Sequence, residues 1–206
     1  MLKIWGRATS SNVQKVLWCC AELGVPFERV DIGGPFGGNQ DPEYLALNPN
    51  GLVPTVQDGD LVLWESNTIC RYIATTQRGE RLYPTAPAAR ALVERWMDWQ
   101  LSTVGPPMGA LLYALIRSRP EQRDQAAIEA ARRKALTAWT IVDEALDGRS
   151  FLAGPELSLA EIVMGTQVYR WHGFPIERPV LKNLKSWYDR MRERPAFRIH
   201  IEIPIT

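Results

Sequence analysis

The chain has little of what marks a membrane, secreted, metal-binding or polyanion-binding protein. Its longest apolar run, Ala110 to Ile116, falls well short of the ~18 residues that cross a bilayer. The opening Met1-Leu2-Lys3-Ile4-Trp5 lacks the basic head and apolar stretch of a signal peptide. Cysteine is scarce: Cys19, Cys20 and Cys70 are odd in number and contain no C-x-x-C pair, so neither a disulfide framework nor a redox motif is expected. The two histidines, His172 and His200, lie too far apart to form a local metal site. With 24 Lys+Arg against 23 Asp+Glu, the net charge of +1 gathers neither nucleic acid nor an anionic membrane. These absences predict a cytoplasmic protein in a reducing compartment, with no metal, no nucleic-acid partner and no membrane partner.

What is present is an ordinary globular composition, 46% hydrophobic and 23% charged over 206 residues. Leu2 to Trp5 reads as a strand, and Val13, Val16, Leu17 and Cys20 form one face of a helix that Gly24 stops. Phe27 to Ile32 alternates as a half-buried strand does. Gly33 to Asn39 is a loop, Pro42 to Leu47 a short helix, and Asn48-Pro49-Asn50-Gly51 a second loop. Thr55-Val56-Gln57 and Leu61 to Trp64 flank Asp58-Gly59, a hairpin signal, and a helix runs from about Glu65 to Thr76. The order β-α-β-(α)-β-β-α predicts a mixed sheet with helices against it.

From Arg78 the periodicity lapses into proline, charge and small residues, and everything after it reads as helical. We therefore expect a first domain over residues 1–79, a linker over 80–87 and an all-helical bundle over 88–206. Within the bundle, Gly105-Pro106-Pro107-Met108 interrupts a helix and predicts a kink that opens a cleft. Leu157 to Ile162 is a capping box, with Ser158 as cap and Glu161 reaching back. Leu181, Leu184, Tyr188 and Met191 supply the last amphipathic helix.

Four landmarks in this order span the chain: Ser10 at the mouth of the first helix, Asn48 to Pro54, Trp64-Glu65-Ser66 opening the third helix, and Leu157 to Ile162. On them the chain resembles the cytosolic glutathione transferases, in particular their bacterial, serine-type members. The resemblance implies an α/β thioredoxin-like domain that binds glutathione, an all-α domain that binds the second substrate, and a homodimer. Glutathione is implied as co-substrate, with no other cofactor.

The chemistry fits a hydroxyl at a helix start. A free thiol with pKa ~8.5 is only a few per cent ionised at neutral pH. Lowering it by two units needs about 2.7 kcal/mol. A hydrogen bond to a charged group supplies about 1.5–3 kcal/mol, and the positive end of a helix adds about 0.3–1 kcal/mol. Thr9, Ser10 and Ser11 are consecutive candidates, and Ser10 or Ser11 can instead serve as a helix cap. The family spacing back from Gly24 selects Ser10 as the donor to sulfur, with Ser11 free to cap. Asn12 is a second candidate, because hydroxyl-x-Asn is similar to bacterial members that reduce disulfides with glutathione.

The resemblance further implies a cis bond between Val53 and Pro54, turning the Val53 backbone toward glutathione's cysteinyl unit as an added strand. Ser66, in the first turn of a helix whose free amides receive a carboxylate, is assigned the γ-glutamyl carboxylate, with Glu65 near its ammonium. Asn39 and Gln40 stand where the family grips the glycyl carboxylate, although many relatives carry Lys or His there. Met108, Leu112 and Trp171 are candidate walls of the pocket for a small hydrophobic electrophile, with ordinary bundle core as the competing reading. Conjugation is the leading activity. Disulfide or peroxide reduction by the same fold, and a binding module without turnover, are the alternatives.

Overall fold

The computed structural model describes residues 1–206 and begins with β1 (Leu2–Trp5), α1 (Ser11–Leu23) and β2 (Phe27–Val30). Next come α2 (Pro42–Leu47), the hairpin β3 (Thr55–Asp58) and β4 (Leu61–Trp64), and α3 (Ser66–Thr76). The four strands lie in the order β2-β1-β3-β4, with β1 parallel to β2 and antiparallel to β3. This is a thioredoxin-like mixed sheet, and α1 and α3 pack side by side against it over Leu2, Ile4 and Val56. The second strand stops at Val30, two residues before the expected Ile32. The hairpin turn is offset by one residue: Asp58 still pairs with Leu61, so the loop is Gly59-Asp60. Gly59 takes φ +58, a conformation that glycine adopts without Cβ strain.

The helical half contains α4 (Pro87–Trp99), α5 (Gly105–Leu112), α6 (Gln125–Ala145), α7 (Leu159–Gly173), α8 (Lys182–Arg192) and α9 (Pro195–His200). The predicted interruption at Gly105-Pro106-Pro107 is not a break. Five-residue π turns at Gln100–Val104 and Tyr113–Arg117 flank α5, so helical backbone continues from Pro87 to Arg117. The Gly105 N–H reaches back five residues to the Gln100 carbonyl, and the two prolines fall in the first turn after it, where a missing N–H costs least. The Leu181–Met191 helix is also not the last. Pro195 starts α9, which returns to α1 and sets Phe197 edge-on to Trp18 at 5.0 Å.

Helix α7 is the axis of the molecule. It is buried nearly all round and touches α1, α3, α4, α5 and α8. Its capping box forms as expected: the Ser158 hydroxyl oxygen accepts from Ala160 N–H at 3.2 Å, and Glu161 accepts from Ser158 N–H at 2.9 Å. Glu161 also accepts from Leu152 N–H at 2.7 Å, which pins the preceding loop to the helix start. Gly165 lets α1 approach, because a Cβ there would lie 2.6 Å from the Trp18 ring. One continuous apolar core therefore joins the sheet half to the helical half.

Candidate active site

The site forms where β1 gives way to α1. Gly6 (φ +150) makes the turn, and a side chain there would meet Val13 at 2.4 Å. The first helical hydrogen bond runs from Gln14 N–H to the Ser10 carbonyl at 2.8 Å, which makes Ser10 the N-cap residue. Ser11, which the sequence left free to cap, is therefore the first helical residue. Ser10 is buried, yet its hydroxyl makes no capping bond, so the donor stands uncommitted beside the open amides of the first turn.

A second wall comes from the loop before β3. The Val53–Pro54 bond is cis, and the Val53 N–H and C=O make no hydrogen bond within the chain. The loop is braced from behind: Asn48 Nδ2 and the Tyr44 hydroxyl both donate to the Leu52 carbonyl, at 2.9 and 2.6 Å. Asn39 Nδ2 and Gln40 Nε2 donate to the Gly51 carbonyl at 2.7 and 3.3 Å, so both serve as braces of this loop. The third wall is the start of α3. Glu65, at φ +72, holds a backbone conformation rare for a non-glycine residue, with a cost of about 1–3 kcal/mol. It aims the first amides of α3 into the same small cleft, which Asn12, Val53, Pro54, Glu65 and Ser66 line together. A wider cavity of about 630 Å³ at the other end of α1 is floored by the Glu22–Arg194 ion pair and takes in the start of the six-residue α9, but no serine, threonine or cysteine lines it.

An uncommitted hydroxyl at a helix start, a free strand-like backbone edge and a helix N-terminus can together bind an extended peptide carrying a carboxylate and a thiol. Residues 1–75 match the glutathione S-transferase N-terminal domain, and residues 105–195 match the glutathione S-transferase C-terminal domain. The glutathione S-transferase GstB of Escherichia coli is 39% identical over 208 residues, with 100% of both chains covered. The chain belongs to the glutathione S-transferase family. Among solved structures, the theta-class glutathione S-transferase of Xanthomonas axonopodis pv. citri with glutathione bound superposes with a TM-score of 0.96. It is 46% identical, over 100% of this chain and 99% of that one. Glutathione transferase F2 of Populus trichocarpa gives 0.85 at 27% identity, over 98% of each chain.

Of the two readings of the candidate pocket walls, the structure places all three residues in the bundle core. Met108, Leu112 and Trp171 are 1%, 5% and 1% exposed and belong to the common core. Trp171 faces Trp139 at 6.4 Å and lies under the Arg178 guanidinium at 5.6 Å. Apolar spacing on a helix looks the same whether the face meets a ligand or another helix, and here it meets helices.

Two groups escaped sequence reasoning. Lys15, on α1, is fully buried and donates to Gln100 Oε1 at 2.8 Å, Asn67 Oδ1 at 3.1 Å and Ser66 Oγ at 3.4 Å. Burial pulls its pKa down to about 8, against the opposing pull of Cys70 and Glu65. It places a cation directly behind the start of α3. The second group is arginine. Arg170, on α7, is 7% exposed and donates to the Thr9 carbonyl at 3.3 Å. Burial, followed by repulsion from Arg117 and Arg7, lowers its pKa to about 10, and Arg170 in turn lies close enough to depress that of Lys15. Neither set has a linear motif, since residues 15, 66, 67 and 100, or 7, 117 and 170, meet only through packing.

Proposed function

We propose that this glutathione S-transferase binds glutathione in the cleft between α1 and α3, ionises its thiol at Ser10 and conjugates it to an electrophile. The observation that carries this reading is the Ser10 hydroxyl, buried at the N-cap yet not bonded to its own helix. It donates to the thiolate and is not itself deprotonated, so no histidine base is required. Val53 pairs through its free backbone groups with the cysteinyl unit, and Ser66 with the α3 amides holds the γ-glutamyl carboxylate, with Glu65 near the ammonium. Lys15 behind α3 supports that carboxylate. Asn39 and Gln40 shape the glycyl end by bracing Gly51. The protein works as a cytoplasmic two-fold homodimer in which the first domain of each subunit packs on the helical domain of the other. The expected domain limits, 1–79 and 88–206, are consistent with the gap between α3 and α4.

The test is the ionisation of bound glutathione, followed by thiolate absorbance near 240 nm. The reading requires a pKa about two units below that of free thiol, ~8.5. Bound glutathione that titrates as free thiol would sink it. A second reading, disulfide reduction, draws on Asn12, which lines the same cleft. Turnover of hydroxyethyl disulfide exceeding that of chloronitrobenzene would favour it.

A further inference from the structure

Arg7 and Arg170 are both bonded to the turn that carries Ser10, Arg117 and Arg7 lie close enough to Arg170 to repel it, and none of the three lies within ion-pair distance of any aspartate or glutamate. Arg194, by contrast, is matched by the Glu22 carboxylate at 2.5 Å. The three come from separate places: Arg7 from the β1–α1 turn, Arg117 from the end of the π turn after α5, and Arg170 from α7. Arg7 is held in place by the glycines after β2, since a Cβ on Gly34 would lie 3.0 Å from its Cδ and Nε. Its carbonyl accepts from Ser10 N–H at 3.2 Å, which ties it to the catalytic turn. Arg170 makes a single hydrogen bond, to Thr9, from a guanidinium with five N–H donors. Arg117 donates to the Thr206 carbonyl at 3.1 Å. A carboxylate at that position would offset one of the three charges and leave two.

Like charges held together in a partly desolvated place raise the free energy of the empty site, and an anion entering it relieves both the repulsion and the unfilled donors. We propose that these arginines form an anion subsite for the second substrate, so that the preferred electrophile carries a carboxylate next to an otherwise apolar reacting group. This rests on the transferase reading above and adds a charged part to the apolar second pocket that the sequence suggests. In the reaction the glutathione thiolate forms a C–S bond at the carbon bearing the leaving group. A halide departs with the electron pair of the broken bond, the thiol proton having gone to solvent on ionisation. Nothing is oxidised or reduced. The substrate carboxylate, held bidentately, fixes the electrophilic carbon against the sulfur at Ser10.

A carboxylate has two possible sources here, the electrophile or the glycyl end of glutathione, and the test separates them. The full-length protein is assayed with 4-chloro-3,5-dinitrobenzoate and with its neutral amide. The proposal expects kcat/KM to favour the carboxylate by about tenfold or more after correction for the uncatalysed rates, falling steeply with salt. Arg117→Gln, at an exposed position that folding tolerates, should lower the carboxylate-to-amide ratio about tenfold, and Arg170→Gln at least as much. A wild-type ratio near one, or a ratio unmoved by Arg117→Gln, overturns the proposal. So does a rise in KM for glutathione with the ratio unchanged, which would assign the subsite to the glycyl carboxylate. If neither compound is turned over, the transferase reading fails by itself. The subsite is then read by calorimetry with S-(4-carboxy-2,6-dinitrophenyl)glutathione and its amide: equal affinities overturn it, and a tenfold preference abolished by Arg117→Gln upholds it.

Discussion

Ser10 sits where a helix-capping serine would bond its own helix, and its hydroxyl makes no such bond. A donor left free in this way can act on an external anion, and that separates it from Ser11, one residue into α1. Ser10→Ala should raise the pKa of bound thiol by one to two units, about 1.4–2.7 kcal/mol, while glutathione still binds. Turnover near pH 6.5 should fall about ten- to a hundredfold and recover at high pH, where the thiol ionises unaided. Ser11→Ala should show no such pH rescue. A titration unmoved by Ser10→Ala but shifted by Thr9→Ala or Asn12→Ala would transfer the role to that residue. Ser66 calls for a different readout. Its Oγ accepts from Lys15 at 3.4 Å, the longest of that lysine's three bonds, so Ser66→Ala leaves Lys15 held by Asn67 and Gln100. Glutathione affinity should drop by about 1–3 kcal/mol by calorimetry, with a smaller effect on kcat. Unchanged affinity would reduce Ser66 to a helix-start residue.

At the scale of elements, α7 carries the most, because its first turn ties the 152–158 loop to the axis of the core. Glu161→Ala would leave the Leu152 and Ser158 N–H groups buried without partners. We expect a loss of about 2–4 kcal/mol in urea unfolding, from two such donors at ~1–3 kcal/mol each with partial relaxation. A loss below about 0.5 kcal/mol would mean that water takes over the carboxylate's role. The far end of α7 sets a pH dependence. His172 stacks on Tyr188 at 4.6 Å with its Nε2 buried and unpaired. Burial, then Arg178 and Lys185, push its pKa down to about 4, with Asp189 on α8 opposing and Arg192 adding to the depression. An unfolded chain binds the proton below about pH 6.5, the folded chain only near 4, so stability should fall as pH drops through that window and be unaffected by His172 above it. His172→Phe should flatten part of the slope between pH 6.5 and 4 in a series of urea midpoints. Identical slopes in the two proteins would remove His172 from the account.

For the whole molecule, the first expectation is assembly. Leu52, Leu92 and Leu101 stand on the surface at 65%, 42% and 47% exposure, as residues awaiting a partner subunit would. Sedimentation equilibrium should give about twice 23.3 kDa, and a strict monomer at micromolar concentration would end the dimer reading. Much of the architecture was readable beforehand, because hydrophobic period and turn chemistry are local. The alternation in β1, the Gly24 stop, the short α2 and the Ser158–Glu161 box each follow from a few adjacent residues. The same holds for the cleft's linear pieces, Ser10, Val53-Pro54 and Glu65-Ser66, each lying beside a strand or helix end. Continuity through Gly105-Pro106-Pro107 was not readable, since a π turn shifts one hydrogen bond without altering composition. Nor was the burial of Met108, Leu112 and Trp171, because a helix face does not record what packs on it. The meeting of Lys15 with Ser66 and Gln100, and of Arg170 with Arg7 and Arg117, depended on segments up to 163 residues apart, from 170 − 7, coming together around α1 and α7. Local periodicity and turns determined the elements and the glutathione-facing motifs. Only tertiary packing decided which charges were buried together, because desolvation and Coulomb repulsion depend on distance in space and not on order along the chain.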